Sequence, residues 1–154
     1  MTTIRVICET TVAPDRVLLA ARDFTDRRAE IFPAVSVPKL EVHGEGETSA
    51  DVTEGTSAGI GDNWERCDYD WSRPGSVTAT VTDSNVYAVP GSSWEMKATP
   101  SDGGSRVDMT WIREFKRNAR GRMFGTAFRL MGQRIFNKYG RDIVANLEKV
   151  EAGA

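Results

Sequence analysis

Large apolar and polar side chains alternate along two stretches on either side of Asp102-Gly103, between Val89 and Phe115. An Asp-Gly pair suits a two-residue hairpin turn, because glycine takes the positive φ that such turns demand. With those two residues at the turn, positions whose numbers sum to 205 face each other: Trp94 opposite Trp111, Met96 opposite Met109, Ala98 opposite Val107. One face of the hairpin is therefore broad, aromatic and sulfur-rich, and it has to be covered. The segment from Gly121 to Val150 can cover it. At about 100° per residue, its apolar stripe holds Phe124, Phe128, Met131, Ile135, Tyr139, Ile143, Leu147 and Val150.

Upstream, Ile4, Val6 and Cys8 alternate with Arg5, Ile7 and Glu9, which predicts a strand over Thr3 to Thr11 with one drier face. Pro14 fits a first helical position and Asp15 a first turn, starting a short helix that carries Val17, Leu18, Ala20, Ala21 and Phe24. Thr25 is suited to cap a second short helix through Ile31 and Phe32, which Pro33 ends. Strand candidates follow at Leu40 to Gly44, Ala50 to Thr56, Asn63 to Trp71 and Val77 to Asn85, separated by glycine- and proline-bearing turns. The predicted class is α+β: a curved seven-stranded antiparallel sheet around a long C-terminal helix, with two short helices after the first strand.

Gly125, Gly132 and Gly140 lie on or beside the inward face of the long helix. Each costs about 1 kcal/mol against alanine in a helix. Close packing on the sheet, space for a ligand and local fraying are three readings of that cost.

A chain of 154 residues is expected to be one domain, spanning 1–154, with enough core to fold without staples. A net charge of −2 argues against general nucleic-acid binding. Cys8 and Cys67 sit in separate strand candidates without metal spacing and follow no apolar leader, so a reducing cytoplasm is the expected location. No apolar run approaches the roughly 20 residues of a spanning helix, which leaves only peripheral contact with a membrane.

Alternation also sorts the charged residues. If Cys67, Tyr69 and Trp71 point inward, Glu65 does too; Val52 brings Glu54, and Trp111 brings Arg113. Two close carboxylates push one pKa upward, which makes an acid useful as a proton donor near neutrality. Glu65 and Tyr69 are the catalytic candidates on this reasoning, and a structural or rim ion pair accounts for the same charges. His43, the single histidine, falls on the solvent face beside Glu41. No metal site, nucleophilic triad or phosphate-binding glycine loop is indicated, and no cofactor. Arg113, Lys116, Arg117, Arg120, Arg122, Arg129 and Arg134 cluster around the start of the last helix, as a solvated basic loop or as a site for an anionic surface.

The element order, the segments Ala50–Thr56 and Trp64–Trp71, and an aromatic hairpin before a terminal helix resemble the START-like helix-grip superfamily, in particular its polyketide cyclase/dehydrase-related branch. The resemblance covers essentially the whole chain and rests on pattern, without a catalytic signature. It implies a cavity between sheet and helix for a small hydrophobic or aromatic ligand, lipid- or polyketide-like. The wall would be Trp94, Met96, Met109 and Trp111, the helical side Phe128, Met131 and Ile135, and the polar contacts Glu54, Glu65, Tyr69 and Arg113. Two further functions stand beside binding: a polyketide aromatase/cyclase or dehydratase, and an adaptor for an anionic membrane or protein surface.

Overall fold

The computed structural model describes residues 1–56 and 62–153. Strand β1 (Thr2–Thr10) is followed by helices α1 (Pro14–Ala21) and α2 (Arg28–Ile31) and a short 3-10 turn at Val37–Lys39. Six strands come next: β2 (Glu41–Glu45), β3 (Ser49–Thr56), β4 (Asn63–Asp70), β5 (Ser76–Ser84), β6 (Ser93–Ser101) and β7 (Gly104–Arg113). Helix α3 (Ala119–Gly153) ends the chain. The sheet is antiparallel throughout in the order β1-β7-β6-β5-β4-β3-β2, so a meander closes on β1, which pairs with the last strand. This is the curved-sheet, long-helix α+β arrangement that the sequence pattern predicts.

The hairpin register is as read from the sequence: Trp94 pairs with Trp111, Met96 with Met109 and Ala98 with Val107. Gly103 at the turn has φ of 76°, the positive value that excludes most side chains. All six of those paired residues are buried. Helix α1 starts as expected, with Ala13 as its cap residue and Pro14 in its first turn. Thr25 does not cap α2. Its backbone and hydroxyl both bond the Asp23 carboxylate, and the helix begins three residues later, after Arg27. A local Asp side chain competes successfully for the threonine.

Helix α3 begins two residues before the predicted start, because Asn118 accepts the Gly121 N–H at 2.8 Å. It packs chiefly on β1 and α2. Ile143, Val144 and Leu147 in its C-terminal half are buried, whereas Met123, Leu130, Met131 and Ile135 in its N-terminal half are largely exposed. The seating is explained by glycine. A Cβ on Gly132 would meet Ile4 Cδ1 at 2.8 Å, and one on Gly140 would meet Val6 Cγ1 at 2.8 Å. These glycines serve close helix-on-sheet packing against β1, the first of the three readings. Thr10 Oγ1 donating to Glu148 at 2.8 Å, and Asn146 Nδ2 donating to the Ile31 carbonyl at 3.2 Å, hold the C-terminal half in place.

Candidate functional site

With α3 seated over β1, a cavity of about 270 Å³ remains between the concave face and the helix. Trp94 and Met96 of β6 and Trp111 and Arg113 of β7 form its wall, joined by Glu54, Trp64 and Glu65 from the β3–β4 hairpin. Ile135, Phe136, Tyr139 and Ile143 of α3 face them, and Phe32, Ala34 and Val35 border another side. The rings are coupled: Phe136 meets Trp111 edge-on at 4.8 Å between centroids, and Tyr139 lies 5.9 Å from Trp111. Such pairs fix ring orientation as well as filling space.

The polar residues fall into two pairs that differ in completeness. Glu54 and Glu65 are direct cross-strand partners. Arg28, 1% exposed, donates from Nε to Glu54 Oε2 at 2.6 Å and from Nη2 to Oε1 at 3.2 Å. Its Nη1 donates to the Ala21 carbonyl at 3.0 Å and its Nη2 also reaches the Tyr69 hydroxyl at 3.0 Å; that hydroxyl donates in turn to Glu54. The guanidinium also lies over the rings of Phe32 and Phe24, at 4.5 and 4.9 Å. This is a closed network in which the buried charges are matched.

Arg113 and Glu65 make a looser pair. Arg113 is 4% exposed and donates from Nη2 to Glu65 Oε1 at 3.4 Å, while its guanidinium carbon stands 4.5 Å from the Tyr87 ring centroid. Arg113 Nε and Nη1 and Glu65 Oε2 are buried without a hydrogen-bond partner among the described residues. Unmet buried donors and acceptors each cost about 1–3 kcal/mol, so this wall of the cavity favours a polar guest. Burial pushes the Glu65 carboxyl above the ordinary glutamate range; Arg113 pulls against the rise, Glu54 adds to it, and Arg28 opposes it. Burial likewise raises the Tyr139 and Tyr87 hydroxyls, which stay protonated at neutral pH. The cavity therefore offers a cation, an acid that holds its proton unusually well, and aromatic faces.

Of the residues anticipated from the sequence, Glu54, Glu65, Trp94, Met96, Trp111, Arg113 and Ile135 come together on this cavity. Four are elsewhere. The Tyr69 hydroxyl is locked into the Arg28–Glu54 network and the residue is 1% exposed, so its proton is committed to Glu54 and does not face a ligand. Met109 is fully buried, its methyl 3.0 Å from where a Gly140 Cβ would stand, so helix packing consumes it. Met131 is 53% exposed, and Phe128 packs on Phe115 and Phe136 outside the lining. Seating Gly132 and Gly140 against β1 brings Phe136 to the cavity and leaves Met131 on the exposed side of the helix.

Arg28, Trp64 and Phe136 also line the cavity without having been expected there, and of these Arg28 is the charged one. Its signal was present: Phe24, Arg28, Ile31 and Phe32 share a helical spacing, which puts a lone cation in an apolar stripe. His43 lies on the exposed edge strand, at a bulge between Val42 and Gly44, with Nε2 2.7 Å from Thr53 Oγ1. Among the described residues no group of three or more His, Cys, Asp or Glu side chains is placed to hold a metal ion. No helix among them is long and apolar enough to cross a membrane.

No protein-family model and no curated protein matches the sequence. Solved structures do match in three dimensions. A Thermus thermophilus protein, TTHA0849, superposes with a TM-score of 0.76 at 16% identity, covering 99% of this chain and 100% of its own. A START superfamily protein from Mycobacterium smegmatis gives 0.70 at 9% identity over 99% of each chain. The Zhui aromatase/cyclase from Streptomyces sp. R1128 gives 0.67 at 16% identity, over 92% of this chain and 93% of that one. At these identities the likeness is one of fold: the chain has the START-like helix-grip architecture found in polyketide aromatase/cyclases.

Proposed function

We propose that the protein binds a compact, ring-bearing small molecule in the cavity, with an acidic or enolic oxygen of the ligand on Arg113 and its ring against Trp111 and Tyr139. The observation that carries this reading is the pair of buried Arg113 donors, Nε and Nη1, that find no hydrogen-bond partner among the described residues at the wall of an aromatic cavity. A ligand oxygen would supply the missing acceptor, and a charged acceptor would be held more tightly than a neutral one. The volume of about 270 Å³ lies near the lower limit of small-molecule pockets. It suits one or two fused rings better than a full-length fatty chain. The fold's occurrence in an aromatase/cyclase supports a polyketide-like aromatic within that class.

The test is titration with 1-hydroxy-2-naphthoate, followed through the fluorescence of the tryptophans, with naphthalene as the uncharged comparison. Binding of the acid in the micromolar range, at least tenfold weaker in Arg113→Met and blocked in Ile135→Trp, is the expected result. Equal affinity of the folded Arg113→Met variant for the acid would overturn the anchor, and failure of both compounds to bind would overturn the reading.

A catalytic reading is favoured by one further observation, the unpartnered Glu65 Oε2 on a carboxyl whose pKa burial has raised, beside Arg113. In a cyclase or dehydratase the Glu65 acid would protonate a carbonyl or departing hydroxyl oxygen while Arg113 holds the enolate oxygen. Turnover of a poly-β-ketone substrate that vanishes in Glu65→Gln while binding survives is its signature. Unchanged turnover in that variant refutes it.

A further inference from the structure

Between Phe115 and Arg141 the chain carries eight lysines and arginines and no aspartate or glutamate, in a protein whose net charge is −2. Elsewhere five arginines are answered by acids, among them Arg16 by Glu151, Arg28 by Glu54, Arg66 by Asp51 and Arg5 by Asp108, and those that are not, such as Arg73 and Arg106, stand in sequence among acids. Arg122, Arg129 and Arg134 on α3 are exposed, and none enters an ion pair among the described residues.

The same stretch of helix exposes large apolar side chains. Met123 is 48% exposed, Leu130 77%, Met131 53% and Ile135 51%. At about 100° per residue these four and Arg134 fall within an arc of about 140° that leaves Gly132 outside it. Arg122 and Arg129 stand about 80–100° beyond its Leu130 edge, a gap that long, flexible side chains can span. Ile135 also lines the cavity, so the patch runs without a break into the cavity wall.

We infer that this face of α3 docks on an anionic lipid bilayer, with Leu130, Met131 and Ile135 entering the headgroup boundary and the unpaired arginines spreading onto the phosphates. Charge complementarity selects the partner: surplus cations with no acids among them fit a uniformly negative surface, and each basic contact strengthens such binding about fivefold. The apolar residues select a bilayer over an acidic protein, because long arginine side chains let an amphipathic helix sink its apolar arc while their charged ends stay at the interface. Docking would bring the Ile135 side of the cavity to the lipid, so that an apolar ligand transfers with little exposure to water. That use rests on the ligand-binding reading; the docking itself does not.

Flotation of the whole protein with phosphatidylcholine vesicles, with or without phosphatidylglycerol, tests the inference. Binding is expected only with phosphatidylglycerol, to weaken at raised salt, and to fall at least tenfold in the Arg129→Glu/Arg134→Glu variant. Leu130→Ser/Met131→Ser should weaken it several-fold at constant charge, and Leu130→Trp should report a blue-shifted emission on vesicles. Equal binding to both vesicle types, no binding to either, or capture by immobilised polyglutamate with no vesicle binding would overturn the inference. Binding of 1-hydroxy-2-naphthoate by the same variants separates the two proposals, since docking can fail while the cavity still fills, and the reverse.

Discussion

Glu54 and Glu65 stand directly opposite each other on β3 and β4, yet different arginines answer them to different degrees. Glu54 receives two contacts from Arg28, the shorter at 2.6 Å, while Glu65 receives one from Arg113 at 3.4 Å and keeps an oxygen without a partner. One acid is structural and the other is available. Arg28 makes the difference, because it gives the cavity wall one matched pair beside the unmatched one.

Removing the Arg28 cation should therefore destabilise the fold. Arg28→Met strands a buried carboxylate and should cost about 3–5 kcal/mol, as broken buried ion pairs do. The double variant Arg28→Met/Glu54→Gln should recover a large part of that loss. Urea denaturation checks both. A loss below about 1 kcal/mol, in the range of surface pairs, would contradict the closed network.

The raised Glu65 pKa has a stability consequence with a definite sign. The folded protein holds this proton better than the unfolded chain, whose glutamate titrates near 4.5. The contribution is complete below that value and is lost as pH rises through the raised folded value. Wild type should lose stability relative to Glu65→Gln as pH is raised from the unfolded value of 4.5 toward neutrality, measured by denaturant midpoints at each pH. A constant difference across that window would mean that burial does not raise this pKa.

Two helix glycines should answer alanine differently. At Gly132 the new methyl meets the mobile end of Ile4, so the gain of about 1 kcal/mol in helix propensity should match or exceed the cost. At Gly140 it meets Val6 Cγ1 at 2.8 Å and Met109 Cε at 3.0 Å, and the stiff valine cannot withdraw. Overpacking of about 1–3 kcal/mol should then outweigh propensity. Thermal unfolding should rank Gly132→Ala above wild type or equal to it, and Gly140→Ala below.

The thiols should be slow. Burial raises both above the ordinary value of 9.0, Cys67 most, with Glu65 and Glu54 reinforcing the shift there. Thiolate is the reactive form, so iodoacetamide at neutral pH should leave Cys67 unmodified in the native protein and label Cys8 more slowly than a free thiol. Rapid labelling of Cys67 without denaturant would show that β4 opens locally.

Period-two alternation and the Asp102-Gly103 turn were enough to specify the hairpin register, the inward Glu54, Glu65 and Arg113, and the antiparallel strands. These are matters of local steric preference and of which side chains avoid water, and they are written residue by residue. The rotation of α3 was not legible in that way: a stripe drawn through Met131 and Ile135 is as apolar as one through Phe136 and Ile143. The choice fell above all to Gly140, whose missing Cβ lets the helix close on Val6 and Met109. Nor could local pattern pair Arg28 with Glu54, 26 positions apart, because a buried cation is tolerated only where distant strands deliver its counter-charge. Sequence alone determined which faces are dry. Tertiary structure decided which dry faces meet and where a gap is left, because close packing depends on shapes brought together from separate parts of the chain.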